Sequence, residues 1–126
     1  MKFSEIIKTE RDEGKEKHIP HMEIAKGHKS GKDIVRVVIG HDISHPNTVE
    51  HHIAWIELYG IKKDNDQVIN IGRATFIPVY SNPNVRFQIN NIEDFRSFHA
   101  LAYCNIHGLW ANSVKREKKE IEIKIK

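Results

Sequence analysis

Three short segments of the sequence carry side chains that bind transition metals. The first contains His18, the second contains His45 and His51, and the third contains Cys104 and His107. Several imidazoles with a single thiolate do not form the usual ligand set of a zinc finger. They form a set that suits a redox-active transition metal, so these five side chains are the candidate ligands of one metal site.

The third segment has the sequence Cys104-Asn105-Ile106-His107 and follows a strand-like run. A cysteine at the end of a strand and a histidine three residues later can both reach one metal. Gly108 comes next and permits a sharp backbone turn. Cys104 would bind as the thiolate, because a coordinating metal deprotonates a thiol. Taken alone, the pair is a weak motif, and it favours a buried structural cysteine beside an unrelated histidine.

The second segment places its histidines around a predicted loop. His45 precedes Pro46, which biases it away from helical backbone. His51 and His52 are neighbours, so in an extended chain they point to opposite faces and only one of them can join a given site. For the remaining histidines the sequence indicates only surface or hydrogen-bonded positions; they are His21, His28, His41, His52 and His99.

The elements that must position these side chains are predicted to be strands. Short runs rich in β-branched and aromatic residues alternate with turn residues, and no segment keeps a 3.6-residue apolar period. Residues 1–17 are polar and predict one helical turn or an arm. The pattern indicates an antiparallel sandwich or barrel. The predicted strands are 34–39, 52–59, 68–77 with a bulge at Gly72, 85–89, 98–104 and 121–125.

Composition limits the class of protein. A chain of 126 residues predicts a single domain. One cysteine cannot form an intramolecular disulfide, and a lone thiol suits a reducing compartment. We find neither an apolar run of about 20 residues nor a secretory signal, so the prediction is a cytoplasmic protein that does not bind membranes. The net charge of +3 includes a mixed run at 115–120, which argues against nucleic-acid binding.

Three segments together resemble a known family. They are Glu-Lys-His-Ile-Pro at 16–20, His-Pro-Asn-Thr-Val-Glu-His-His-Ile at 45–53, and Tyr-Cys-Asn-Ile-His-Gly-Leu-Trp at 103–110. These segments resemble superoxide reductase of the neelaredoxin type, which is also the catalytic domain of desulfoferrodoxin. The resemblance implies an all-β chain, an immunoglobulin-like antiparallel β-sandwich over residues 1–126, with one mononuclear non-haem iron.

The resemblance also implies roles for single residues. His18, His45, His51 and His107 would be four equatorial ligands, and Cys104 the axial thiolate. Glu16 and Lys17 would be catalytic residues beside the open sixth position. Glu16 could bind there as a ligand of the ferric state. Two-domain relatives have an N-terminal desulforedoxin-type site with four cysteines, which we do not expect here because Cys104 is the only cysteine.

The implied reaction is the one-electron reduction of superoxide to hydrogen peroxide. Its electron donor in the family is commonly rubredoxin, and the usual assembly is a homotetramer. Residues 77–97 depart from the family, which has a longer glycine-rich loop there. None of the five candidate ligands lies in that region, so the departure bears on subunit contacts and not on the chemistry.

Two other classes of protein remain compatible with a sandwich that holds cysteine and histidine. A cupredoxin-like electron carrier would use two histidines, a cysteine and a weak axial methionine, but the only methionines are Met1 and Met22. A binding module with structural zinc would use four ligands in a closed shell, which leaves the fifth candidate ligand and the pair Glu16-Lys17 unexplained.

Overall fold

The computed structural model describes residues 1–12, 18–27 and 32–116 of the chain. The predicted C-terminal strand at 121–125 lies outside the described residues, as do Glu16, Lys17 and His28. Within the described part, strands dominate and helix is limited to one short turn, α1, and two 3₁₀ turns, which are Glu10–Asp12 and Ile92–Asp94.

The predicted helical turn at the N-terminus is present as α1, Phe3–Ile6, and it leads directly into the first strand. The eight strands of the described residues are β1 (Ile7–Lys8), β2 (His21–Lys26), β3 (Lys32–Val38), β4 (Ile53–Lys62), β5 (Val68–Thr75), β6 (Asn84–Asn90), β7 (Phe95–Cys104) and β8 (Gly108–Lys115).

The strands form two sheets. The larger has the order β1-β8-β7-β4-β5 and the smaller the order β2-β3-β6. All pairs are antiparallel except β1 with β8, which run parallel through Ile7 and Lys8. The prediction of an all-β, sandwich-like fold is confirmed. The buried core joins both sheets, with Val35, Val37 and Ile89 from the smaller and Ile56, Leu58, Phe98, Ala100 and Ala102 from the larger.

Alternation explains the burial of the long strands. In β4 the even positions from Ile56 to Gly60 are buried while their neighbours are half-exposed, because successive side chains of a strand point to opposite faces. The predicted bulge is also present: Leu58 pairs with Gly72 but Tyr59 pairs with Asn70, so Ile71 is the extra residue.

Among the described residues, no helix is long and apolar enough to cross a membrane.

All three predicted metal-binding segments lie at one end of the sandwich. Strand β3 ends at Val38 and the chain returns in β4 at Ile53, while β7 ends at Cys104 and β8 begins at Gly108. Cys104 pairs with Ile53 and with Gly108 across the larger sheet. The loop after β3, the turn after β7 and the segment before β2 therefore meet at the same edge.

Candidate metal centre

Four of the five predicted ligands converge at that end of the sandwich. They are His18, His45, His51 and Cys104, and one ligand atom from each lies within 4.8 Å of every other. His18, His45 and Cys104 are buried. Side chains that are distant in sequence therefore share one small volume, as a single ion requires.

His107, the fifth predicted ligand, lies beside these four side chains. Its Nδ1 lies 3.1 Å from Nε2 of His18 and 3.8 Å from Sγ of Cys104. Its ring centroid is 5.0 Å from that of His51. Two nitrogens bound at right angles to one metal, each at about 2.1 Å, lie roughly 3 Å apart. The spacing between His18 and His107 matches that value, so His107 faces the centre through Nδ1.

Cys104 is the last residue of β7 and is fully buried. Its Sγ lies 3.7 Å from Nε2 of His45 and accepts a hydrogen bond from the backbone N–H of His107 at 3.4 Å. A donated N–H stabilises negative charge on sulfur and tunes a thiolate ligand. The turn formed by residues 105–107, together with Gly108 at φ +87°, brings this donor back over the sulfur.

The tautomer of His45 is determined by its neighbour. Its Nδ1 lies 2.7 Å from the carbonyl oxygen of Pro46, and a carbonyl can only accept, so Nδ1 carries the hydrogen. In the neutral ring Nε2 then presents its lone pair toward the centre. Gly40, at φ +79°, permits this loop to close, because a Cβ there would lie 2.5 Å from the backbone nitrogen of His45.

His51 provides an independent test of whether a metal fits. Within the described part of the chain, its Nε2 is buried and has no hydrogen-bond partner. Leaving a buried polar atom unsatisfied costs about 1–3 kcal/mol, and binding a metal would remove that cost. His52 points elsewhere, with Nδ1 donating to the carbonyl of Thr48 at 3.0 Å, so only one of the adjacent histidines joins the site, as predicted.

Asn105 connects the two loops that carry most of the ligands. Its Oδ1 accepts from the backbone N–H of His52 at 2.8 Å, and its Nδ2 donates to the carbonyl of Glu50 at 3.0 Å. Its own backbone N–H donates to the carbonyl of His52 at 3.1 Å. The position of His51 is thereby coupled to the turn that carries His107.

Trp110 and Lys8 form the outer wall of the site. The Trp110 ring stacks on that of His18, with centroids 4.5 Å apart and planes at 12°, and its Nε1 donates to the carbonyl of His107 at 3.2 Å. Nζ of Lys8 donates to the same carbonyl at 3.0 Å and lies 5.3 Å from the Trp110 ring centroid. A permanent positive charge therefore stands beside the ligand cluster.

No sequence pattern indicated a role at the site for Asn105, Trp110, Lys8 or Gly40. The position of Asn105 in a short turn after a strand was a usable signal, since such side chains commonly bond to nearby backbone groups. The contribution of Lys8 depends on the parallel pairing of β1 with β8. No local sequence pattern predicts that pairing.

The fold and the site together define a β-sandwich with a candidate transition-metal centre in the loops at one end. Residues 10–113 match the model of the desulfoferrodoxin family. A superoxide reductase of Pyrococcus abyssi is 43% identical over 105 residues, covering 81% of this chain and 89% of the relative. Neelaredoxin of Megalodesulfovibrio gigas is 35% identical over 127 residues, covering 90% and 95%.

Solved structures give the same result. A superoxide reductase crystallised in the oxidised state has a TM-score of 0.81 at 36% identity, covering 92% of this chain and 100% of that one. The neelaredoxin of Ignicoccus hospitalis has a TM-score of 0.79 at 32% identity, covering 93% and 98%. The chain belongs to the desulfoferrodoxin family. The predicted resemblance to superoxide reductases is confirmed, as is the prediction of an oxidoreductase.

Proposed function

We propose that this chain reduces superoxide to hydrogen peroxide, with one electron from a donor and two protons, at one mononuclear non-haem iron. The observation that carries the proposal is the convergence of His18, His45, His51 and Cys104 within 4.8 Å, completed by Nδ1 of His107. Family membership supports superoxide as the substrate, since the relatives compared above are superoxide reductases.

We propose the four imidazoles as equatorial ligands and Cys104 as the axial thiolate. Five protein ligands would leave one position of a six-coordinate iron open to an anion, and such an iron would supply the one-electron chemistry of the reaction. The five ligands exceed the four of a closed structural zinc shell. The two methionines are Met1 and Met22, so no methionine of this sequence follows His107 as a cupredoxin-like site would require.

The chain's own groups prepare the site for a negatively charged substrate. A ferrous ion bound by neutral imidazoles and one thiolate has a net charge of about +1, and Lys8 adds a positive charge next to the His107 backbone. Such fields raise the association rate of a charged substrate by about 10–10³-fold. The Pro46 carbonyl accepts the hydrogen of Nδ1 of His45, so the lone pair of the neutral ring is on Nε2.

Lys17 and Glu16 immediately precede His18 in the sequence. We propose Lys17 as the residue that attracts superoxide and helps to deliver protons, and Glu16 as a sixth ligand of the ferric state. Lys17→Ala should slow superoxide capture and flatten its salt dependence, while Lys63→Ala, an exposed lysine at the opposite end of the sandwich, should leave both unchanged. Equal rates for the two variants would remove Lys17 from the mechanism.

Glu16→Ala should alter the visible spectrum of the oxidised protein and leave the reaction of the reduced protein nearly unchanged. An unaltered oxidised spectrum would show that Glu16 does not bind iron.

Other parts of the proposal depend on chain length, composition and the family, and not on the geometry of the site. We propose residues 1–126 as a single catalytic domain, a rubredoxin-like protein as electron donor, a homo-oligomer such as a tetramer as the assembly, and the cytoplasm as the location. Mixing the purified oxidised protein with a candidate donor tests the donor directly, since a genuine donor must restore the reduced spectrum and sustain repeated superoxide consumption.

The decisive experiment combines metal analysis, spectroscopy and superoxide kinetics on the purified protein. We expect one iron per chain, almost no colour when reduced, a blue thiolate-to-iron band when oxidised, and superoxide consumption that uses one electron per superoxide without releasing oxygen. Bound zinc without a visible band, persisting after iron reconstitution, would contradict the proposal and favour a structural metal module.

A matched pair of variants isolates the ligand set. His51→Ala should lower iron content and weaken or shift the band, because it removes a ligand atom that is buried without a hydrogen-bond partner. His52→Ala removes the adjacent histidine, whose ring is bonded to the Thr48 carbonyl, and should keep iron content and band. Cys104→Ser should abolish the band, and a surviving band would exclude the axial assignment.

A further inference from the structure

A second cluster of metal-binding side chains stands outside the candidate metal centre. It consists of His21 and Glu23 on β2 and His41 in the loop after β3, whose ligand atoms all lie within 4.8 Å of one another. Nε2 of His21 is 2.9 Å from Oε2 of Glu23, and Nε2 of His41 is 3.9 Å from the same oxygen. Two imidazole nitrogens and one carboxylate oxygen therefore lie close enough together to reach one ion.

Local structure explains why these three side chains meet. His21 and Glu23 are two residues apart on one strand, so they project from the same face. His21 pairs with Val38, the last residue of β3, and the loop that follows brings His41 back over β2. The rings of His21 and His41 then stack, with centroids 3.8 Å apart and planes at 18°.

Two further residues orient these side chains. Arg36 donates from Nη1 to Oε1 of Glu23 at 3.2 Å, which leaves Oε2 directed at the histidines. Nδ1 of His41 lies 3.0 Å from Oδ1 of Asp42, and a carboxylate can only accept, so the hydrogen is on Nδ1 and Nε2 is the free nitrogen. A carboxylate behind a histidine is the arrangement that orients metal-binding imidazoles.

The charge state and exposure of the cluster suit a cation from solution. Hydrogen bonds from His21 and Arg36 lower the pKa of Glu23, so its carboxylate is ionised at neutral pH. The side chains of His21, His41 and Glu23 are 39%, 38% and 43% exposed, which leaves room for water to complete a coordination shell.

We propose that His21, Glu23 and His41 form a second metal site, which binds a divalent transition metal ion such as Zn²⁺ through Nε2, Oε2 and Nε2. Two imidazoles and one carboxylate with open positions are a ligand set that Zn²⁺ accepts. Binding would displace to solvent the hydrogen that Nε2 of His21 donates to Glu23. One of the two stacked rings would turn so that both nitrogen lone pairs reach the ion. Asp42 and Arg36 act as positioning residues. The site shares no ligand with the candidate metal centre, so it does not depend on the function proposed above.

The position of this second site gives it a structural consequence. His21 follows His18 by three residues, and His41 precedes His45 by four. An ion bound between them would connect the segment of His18 to the loop of His45, and it would add positive charge at the edge of the candidate metal centre.

Calorimetric titration with Zn²⁺ tests the proposal on protein whose first centre is already filled and whose metal content has been measured. One further equivalent per chain is expected, with no loss of the metal already bound. His41→Ala should weaken this binding at least tenfold, and Asp42→Asn about tenfold, the usual effect of removing the partner of a metal-binding histidine. His99→Ala removes a histidine of β7 outside both clusters and should leave binding unchanged.

Metal analysis after dialysis against Zn²⁺ provides a second measurement that does not depend on a heat signal. Absence of the additional equivalent would overturn the proposal. Binding that His41→Ala leaves unweakened would also overturn it, because the ion would then occupy a different site. A visible band of the first centre that stays constant during the titration separates this result from displacement of the metal there.

Discussion

At the residue scale, the fold lowers the pKa of His99, a histidine outside both clusters of metal-binding side chains. It lies half-buried on β7, with Nε2 2.9 Å from Oγ of Ser97 and Nδ1 2.8 Å from Oγ of Ser113. Burial lowers the pKa of His99, and the positive charge of Arg96 lowers it further. The folded protein therefore favours the neutral ring more strongly than the unfolded chain does.

This shift predicts a pH dependence of stability. The contribution of the neutral His99 ring to folding stability is fully present above the pKa of a histidine in the unfolded chain, about 6.5. It is lost as the pH falls from there through the lower pKa of the folded protein, because the unfolded chain binds the proton first. Urea unfolding of the native protein and of His99→Gln should therefore show a gap in unfolding free energy that narrows from pH 7.5 to pH 5. A gap that stays constant over this range would contradict the assignment.

The sequence identified the candidate ligands but not the atoms they present. Four of the nine histidines and the single cysteine could be selected because they lie in three short segments that together resemble one family. Nδ1 of His107 faces the centre because it lies 3.1 Å from Nε2 of His18, and His45 presents Nε2 because its Nδ1 donates to the Pro46 carbonyl. Both contacts depend on loop geometry that sequence patterns do not specify.

At the scale of the elements, the loops before β4 and after β7 act as one unit because of Asn105. Its side chain accepts from the His52 N–H and donates to the Glu50 carbonyl, and each such bond contributes about 0.5–1.5 kcal/mol. The residue holds two loops together without touching the predicted metal itself.

Asn105→Ala is therefore expected to lower the unfolding free energy by about 1–3 kcal/mol and to speed loss of metal to a chelator. Chemical denaturation and stopped-flow chelation measure the two effects. Asn90→Ala, an exposed asparagine of β6, is the control and should change neither. Unchanged chelation in Asn105→Ala would mean that the loops are held by the strands alone.

Strand prediction succeeded where β-branched residues were concentrated and failed where they were sparse. The predicted strands at 34–39, 52–59, 68–77, 85–89 and 98–104 correspond to β3 to β7 with shifted ends. Strands β2 and β8 were not predicted. The first is His-Met-Glu-Ile-Ala-Lys and the second contains Ala111, Asn112 and Ser113, so tertiary pairing, not local preference, makes them strands.

At the scale of the whole molecule, we expect stability to depend mainly on the core and the chemistry on the candidate metal centre. Leu58 is fully buried between the sheets, and Val68 on the neighbouring strand β5 is 59% exposed. Leu58→Ala should lower the unfolding free energy by about 2–5 kcal/mol. Val68→Ala should cost less than about 0.5 kcal/mol, as is usual for surface positions.

Both variants should keep the metal content and visible band of the native protein while folded, because neither side chain belongs to the loops at the ligand end. Denaturant unfolding and metal analysis measure the two properties separately. Loss of the band in folded Leu58→Ala would show that the core controls the geometry of the site directly.

The stacking of Trp110 on His18 gives the protein a built-in optical reporter. The indole ring of Trp110 lies 4.5 Å from the imidazole of His18. We therefore expect the fluorescence of Trp110 to change with the metal content and oxidation state of the centre. Trp55, the second tryptophan, lies on the larger sheet beside Tyr103 and Arg73. Replacing Trp55 by phenylalanine would leave one emitter, and the state of the centre could then be followed in dilute solution without any label.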